Sequence, residues 1–266
     1  MEHVDRNGNT LKPPLKWAGG KRWQLPHLEK FWAREKHRRL VEPFCGGLSV
    51  ALGLRPGTAL LNDANAHLIN FYAWLQRGLK ILIEMENDAT LFYRHRDRFN
   101  QLLRGRKEET REAASLFYYL NRTGYNGLCR FNRSGEFNVP FGRYGNINYR
   151  RSFLDYRPLL ASWEFSNLRF DEIRLRPEDF VYADPPYDVE FTHYAKGGFS
   201  WDDQVRTAEW LAEHSGPLLL SNQATPRIIK LYRRLGYKLT MLPAPRRISC
   251  TGDRSSAMEV LAIRNL

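Results

Sequence analysis

Cysteine is scarce in this chain of 266 residues. Cys45, Cys129 and Cys250 are odd in number and far apart, so neither a disulfide framework nor a zinc site is expected, and a reducing interior is the default. Long hydrophobic runs are also missing. Nothing approaches the roughly 18 to 20 apolar residues of a membrane span, and the opening stretch MEHVDRNGNTLKPP is polar. A soluble, cytoplasmic protein with no membrane association is expected. The histidines form no HExxH or triad arrangement and there is no GxxxxGK[ST] loop, which leaves no metal centre to argue for. No internal repeat or low-complexity tract occurs.

Acidic residues are in deficit, 29 against 41 Lys and Arg, for a formal charge of +12. Together with 13% aromatic residues, this excess fits an anionic partner, of which nucleic acid is the commonest. The charge is also localised. Residues 94 to 157 hold fourteen Lys and Arg against six Asp and Glu, a net +8 in a quarter of the chain, which favours a nucleic-acid surface over diffuse basicity.

Short apolar runs bounded by turn formers mark the rest of the chain. LVEPFCGGLSVALG, residues 40 to 53, reads as a strand, a glycine turn and the opening of a helix; TALLND supplies a second strand, and residues 66 to 76 have helical apolar spacing. FVYADPPY and GPLLLSNQ supply two further strands. This alternation predicts an α/β domain with a mainly parallel sheet. Charged helical stretches followed by an Asn, Gly and Arg rich segment read as an insertion, so the expected division is residues 1–68 and 167–266 as one domain and 69–166 as another. RRISCTGDRSSAMEVLAI reads as two terminal strands around a polar loop, with Met258 in the core.

Two stretches suit a nucleoside-bearing ligand. In EPFCGG, Gly46 and Gly47 let a ligand approach the backbone and the following helix N-terminus. Asp63 follows Gly46 by 17 residues, near the place where doubly wound folds set an acid against ribose hydroxyls. Upstream, LKWAGGK offers Trp17 as an aromatic wall and Lys21 as a cation for a carboxylate. In ADPPY, Asp184 is expected at the carboxyl end of a strand, where ligands bind in open α/β sheets. Pro185 and Pro186 stiffen the turn and leave its carbonyls as acceptors. Such a site can take two hydrogens from one planar amine, with Tyr187 stacked on the ring. If the amine belongs to a base in a duplex, the base must be flipped out at a cost of about a few kcal/mol.

The stretches LKWAGGK, VEPFCGG, LNRTGYNGLCRFN with GEFNVPFGRY, and ADPPY stand in that order. The chain thereby resembles the Dam-type, D12 class family of S-adenosylmethionine-dependent DNA adenine methyltransferases, in the α group of amino methyltransferases. The resemblance runs from about residue 14 to the C-terminus; DPPY alone would leave cytosine, RNA or protein amide acceptors open. One departure is Leu48, which stands where the family's F-x-G-x-G turn ends in glycine. The likeness implies a Rossmann-like class I methyltransferase with a mainly parallel seven-stranded sheet, plus a helical target-recognition insertion with a β-hairpin. It implies S-adenosylmethionine contacts at Trp17, Lys21, Glu42, Phe44, Gly46, Asp63 and Asp184, and catalysis by Asp184, Pro185, Pro186 and Tyr187. The expected partner is double-stranded DNA, with GATC as the suggested target, no obligate protein partner and a restriction endonuclease as a possible one. The expected setting is a bacterial or phage-infected cell. A noncatalytic DNA binder of the same fold and an RNA-directed enzyme are the alternatives.

In NRSGEFNV, Ser134 and Gly135 predict a hairpin turn, and a two-stranded ribbon fits the major groove. Arg130 and Arg133 are candidates for base edges, Asn126 and Asn132 for base pairing, and Tyr125 or Tyr144 for wedging or stacking. The likeness adds Leu128 and Arg143 to the DNA-binding set. Arg133, Arg143, Arg150 and Arg151 read more simply as phosphate contacts. FTHYAKGGFSW has the aromatic and glycine content of a lid, or of a plain surface loop.

Overall fold

The computed structural model describes residues 11–188, 198–245 and 257–266. Two compact units emerge: one comprises the chain up to Gly20, Gly46–Arg55 and Asn65–Asn167, the other Lys21–Cys45, Pro56–Ala64 and the residues from Leu168 onward. The strands are β1 (Leu40–Glu42), β2 (Ala59–Asn62), β3 (Trp163–Ser166), β4 (Phe180–Ala183), β5 (Leu218–Gln223), β6 (Lys238–Ala244) and β7 (Ala257–Arg264). They form a seven-stranded sheet in the order β3-β2-β1-β4-β5-β7-β6.

In the second unit, β1 pairs in parallel with β2 on one side and β4 on the other, and β4 pairs in parallel with β5. Every residue of β1 and β4 is buried, as expected of parallel strands covered on both faces. That is why they read as continuous apolar runs rather than as alternations. Val41, Val181, Leu218 and Val260 share a core with Ala208 and Leu211 of α7 (Trp201–Ala212) and with Ile228 and Leu231 of α8 (Pro226–Arg234). Ser200 and Asp203 close a capping box on α7, while Thr225 caps α8 ahead of Pro226 at its first position. These caps satisfy N–H groups that the first turn leaves open.

Of the last two strands, β7 is the expected AMEVLAI strand and β6 is one the sequence reading did not include. β7 enters antiparallel between β5 and β6, and its partner β6 lies in KLTMLPA, upstream of the predicted RRISC strand, which falls outside the described residues. Met258 is 44% exposed rather than core, while the next residue, Glu259, is buried. The inward position at the start of β7 thus carries a carboxylate.

In the first unit, α3 (Ala66–Gln76), α4 (Ala89–Arg104) and α5 (Arg111–Thr123) are capped by the side chains of Asn65, Asp88 and Thr110. They pack around aromatic rings, with Phe71 stacked on Tyr118 at 5.7 Å and Phe153 edge-on to both. From Gly124 to Tyr156 the chain has almost no regular structure. Buried Asn100 of α4 holds it by clamping the Phe137 backbone in both directions, at 2.8 and 3.1 Å. The predicted hairpin is reduced to a bridge between Phe131 and Phe137. Its turn spans Asn132 to Gly135, closed by the Gly135 N–H on the Asn132 carbonyl at 3.0 Å, with Gly135 at φ +77°.

The turn at Leu48 is strained. This buried residue stands at the N-cap position of α2 (Ser49–Leu54) in left-handed backbone, φ 59° and ψ 23°, a conformation that costs a non-glycine residue about 1–2 kcal/mol. It is the position where the resembling family places glycine. Leucine fills the space beneath, so its burial offsets the strain.

Candidate active site

Three neighbouring parallel strands of the second unit end in carboxylates. Glu42 is the last residue of β1, Asp63 follows β2, and Asp184 follows β4. Strand β1 lies between the other two, so strand order reverses there and the crevice beyond the carboxyl ends is where open α/β sheets bind ligands. The exits are tied together: the Cys45 N–H donates to the Asn62 carbonyl at 2.8 Å, and the Asn62 amide donates to the Pro43 carbonyl at 3.0 Å. The buried Cys45 thiol is pushed well up, first by burial and then by the Asp63 and Glu42 charges, which places both carboxylates about this one strand exit. Phe44 meets Phe170 and Phe199 at 5.6 and 5.7 Å between ring centres, giving the exit an apolar wall.

Asp184 sits in a small polar cluster. Its side chain is 18% exposed, and the Lys21 ammonium, 5% exposed, lies 3.5 Å from Oδ1. That oxygen is buried and makes no hydrogen bond of normal geometry among the described residues. Glu259 Oε1 takes the other side of Lys21 at 3.4 Å. Burial raises the Asp184 carboxyl to about 7; Lys21 opposes the rise and Glu259 adds to it. Tyr187 presents its ring to the same ammonium, 4.3 Å from the centroid, and its hydroxyl lies 3.4 Å from Ser221 Oγ.

The tetrapeptide is braced from below. Gln204 of α7 donates to the Pro186 carbonyl at 2.6 Å, and Asn222 of β5 donates to Gln204 at 2.9 Å. The expectation that all the turn's carbonyls are open is therefore corrected at Pro186; no described residue donates to the Pro185 carbonyl. Asp188 is bound by both guanidinium arms of Arg227, which also stacks on Trp201 at 4.5 Å. Most of the predicted lid, residues 191–197, lies outside the described residues. Its tail is anchored through Phe199 and the Ser200 cap.

The first unit holds the other predicted residues. Trp17 lies on the turn: a Cβ on Gly46 would stand 2.9 Å from its Nε1, and one on Gly47 2.8 Å from its Cβ. Both glycines therefore make room for the indole, where a ligand was expected. Lys16 donates to the Arg122 carbonyl at 3.1 Å and lies 3.6 Å over the Tyr144 ring. Tyr144 in turn donates to the Gly124 carbonyl at 3.1 Å.

Of the candidate DNA contacts, Tyr125 and Leu128 are exposed apolar side chains. Asn126 is exposed at φ 51°, and Arg143 at φ 50°. Arg133 is exposed at the hairpin tip. Arg130 is exposed but anchored, its Nε donating to Asn138 Oδ1 at 2.8 Å. The Asn132 side chain is committed to the turn, accepting from Ser134 and Glu136 N–H groups at 3.0 and 2.9 Å and donating to Glu136 at 3.1 Å.

Sequence reasoning missed Glu259 and Gln24. The available signal was a lone acid opening an otherwise apolar terminal strand, MEVLAI.

Comparison with known proteins gives the family. The chain is 35% identical to a retron Ec67 DNA adenine methylase of Escherichia coli, covering 94% of this chain and 90% of the relative. It is 35% identical to the DNA adenine methylase of Escherichia coli strain K12, covering 94% of each. A type II methyltransferase of Lactococcus lactis subsp. cremoris is 33% identical over 88% of each chain. With residues 17–242 also matching the family model for D12 class N6 adenine-specific DNA methyltransferases, a strand-end carboxylate followed by two prolines and a tyrosine has its family: the chain is a D12 class adenine-specific DNA methyltransferase, dependent on S-adenosylmethionine.

Proposed function

We propose that the protein methylates the 6-amino group of adenine in the duplex site GATC, with Asp184 facing the flipped-out base. The observation that carries this is the buried Asp184 Oδ1 at the carboxyl end of β4, which faces Lys21 and makes no hydrogen bond of normal geometry among the described residues. S-adenosylmethionine, when bound, supplies an electrophilic methyl group on a sulfonium. The chain's own residues do the rest. Asp184 and the open Pro185 carbonyl accept the two amine hydrogens, drawing the nitrogen lone pair out of the ring and stabilising the charge that develops on attack. Tyr187 stacks on the base. Glu42, Asp63, Phe44 and Lys21 hold the cofactor across the exits of β1 and β2, with Asp63 on the ribose diol. Trp17 and Gly46 complete the set that the family likeness implies.

In the first unit, Tyr125, Asn126, Leu128, Arg130 and Tyr144 contact bases, while Arg133 and Arg143 grip phosphates. Asn132 contributes by shaping the turn. Such an enzyme works on DNA in the cytoplasm of a bacterial or phage-infected cell, and the Lactococcus relative, a type II methyltransferase, supports a partner endonuclease.

Tritium transfer to a GATC duplex, to duplexes carrying each single substitution and to the matching RNA tests this reading. Fastest transfer to GATC is expected; preference for RNA, or binding without transfer, would refute it. Asp63→Ala is expected to raise the KM for the cofactor about tenfold or more and leave that for DNA nearly unchanged, because a ribose contact acts in the ground state. Steady-state kinetics with each substrate varied in turn checks this; equal effects on both constants would remove Asp63 from the cofactor site.

A further inference from the structure

We propose that Glu259 is a positioning residue for methyl transfer: it holds the Lys21 ammonium beside Asp184 and takes a share of that cation's charge, leaving Asp184 able to accept the proton that the methylated amine must lose. This deepens the reading of Asp184 as the residue facing the amine and rests on it.

Glu259 is costly where it stands. It is the third residue of β7, between β5 and β6, and Val260, Leu261 and Ala262 after it are buried. A carboxylate on such a strand is tolerated only when paired and hydrogen-bonded, and both its oxygens are engaged. Oε1 faces Lys21 at 3.4 Å, and Oε2 accepts from the Gln24 amide at 2.8 Å. Gln24 is itself fixed, donating to Ser221 Oγ and accepting from the Tyr182 hydroxyl, each at 3.0 Å. The frame comes from β4, β5, β7 and the segment preceding α1 (Leu25–Glu35), and it converges on one ammonium nitrogen. A contact serving only to neutralise Lys21 would not need this frame, because Asp184 already stands 3.5 Å from the same nitrogen.

The consequence is electrostatic. One cation divided between two carboxylates stabilises charge on Asp184 less than a cation held by Asp184 alone. The other groups facing this pocket are Tyr187 on the same loop, Tyr182 of β4, Tyr232 of α8, Glu42 of β1 and Asp188. None of these described groups is a second cation, so among the described residues the balance rests on Lys21 and Glu259. Once the S–CH3 bond has broken with its electron pair left on sulfur and the methyl group has joined N6, one N–H bond breaks, its electron pair returns to nitrogen, and the proton joins an Asp184 oxygen before passing to water. That transfer is best served by an acceptor that titrates near the working pH, and burial with Glu259 places Asp184 at about 7.

The test is the pH dependence of kcat/KM for wild type, Glu259→Gln and Glu259→Asp, with circular dichroism and thermal melts as evidence of folding. In wild type the acid limb is expected near the Asp184 value of about 7. In Glu259→Gln, Lys21 turns wholly to Asp184, so the plateau falls while the limb moves down by about one unit. Glu259→Asp, its charge drawn back by a methylene, should move the limb the same way by less, and it decides the matter if the Gln variant does not fold. A lowered plateau with an unmoved limb means a merely structural contact and overturns the proposal. Asp184→Asn separates the two readings: if it keeps the wild-type rate and limb, the assignment of Asp184 falls, whereas an inactive Asp184→Asn beside an unmoved Glu259→Gln limb sinks the Glu259 proposal alone.

Discussion

Asp184→Ala is expected to abolish methyl transfer, lowering kcat by about a thousandfold or more, in a protein that stays folded and still binds DNA. About 4 kcal/mol of transition-state stabilisation corresponds to that factor, within reach of a preorganised acceptor in a site closed to water. The fold tolerates the loss because Lys21 keeps Glu259 as its partner at 3.4 Å, so no buried charge is stranded. Asp184 even opposes folding when ionised. Its carboxyl titrates at about 7 in the folded chain and at about 3.9 when unfolded. A raised value means that its contribution to stability is full below the unfolded value and is lost as the pH rises through the folded one. Asp184→Asn, which removes that penalty, should raise Tm by an amount that grows from about pH 4 to about pH 7 and then levels off. Radiolabel transfer and thermal melts across pH check both statements. More than about a tenth of wild-type turnover in the alanine variant, less than about 1.4 kcal/mol of lost stabilisation, would exclude Asp184 from the chemistry.

The parts of this site that the sequence discloses are those set by local chemistry. Strands β1, β4 and β5 are buried on both faces, so their apolar runs stand out, and the acids that end β1, β2 and β4 follow from where those runs stop. Strand β6 was not legible: Leu239 alternates with exposed neighbours and Pro243 interrupts the run, a pattern that demotes a stretch to loop on local grounds. The partners of Lys21 were not legible for another reason. Glu259 lies 238 residues away along the chain, and only the antiparallel entry of β7 beside β5 brings it to the DPPY exit. The two glycines of the turn were read as space for a ligand because glycine reports room without saying what fills it; here the Trp17 indole does. Asn132 is the converse case, since asparagine two residues before a Ser-Gly pair is a turn former by its own side chain, and its three bonds within the turn bear that chemistry out.

Arg130→Ala is expected to cost about 1–3 kcal/mol in transfer to GATC and to relax discrimination at one base position. Arginine is the commonest side chain to grip guanine, through two acceptors in the major groove, but a free guanidinium must first be ordered. Here Asn138 does this in advance, with Nε on its Oδ1 at 2.8 Å and Nη2 on its carbonyl at 3.3 Å. The arm is exposed yet fixed against the opposite side of the hairpin, and its remaining N–H groups point the fork in a set direction. Arg133, at the tip, has no hydrogen bond or ion pair among the described residues. Such an arm suits phosphate, which accepts from many directions. Arg133→Ala should therefore slow all duplexes alike and reduce the salt slope by about one, whereas Arg130→Ala should reorder the duplexes. Rates on GATC and on each singly substituted duplex, for wild type and both variants, decide between these roles. If Arg130→Ala leaves the ranking unchanged and lowers every rate in proportion, the anchored guanidinium is a phosphate clamp and reads no base.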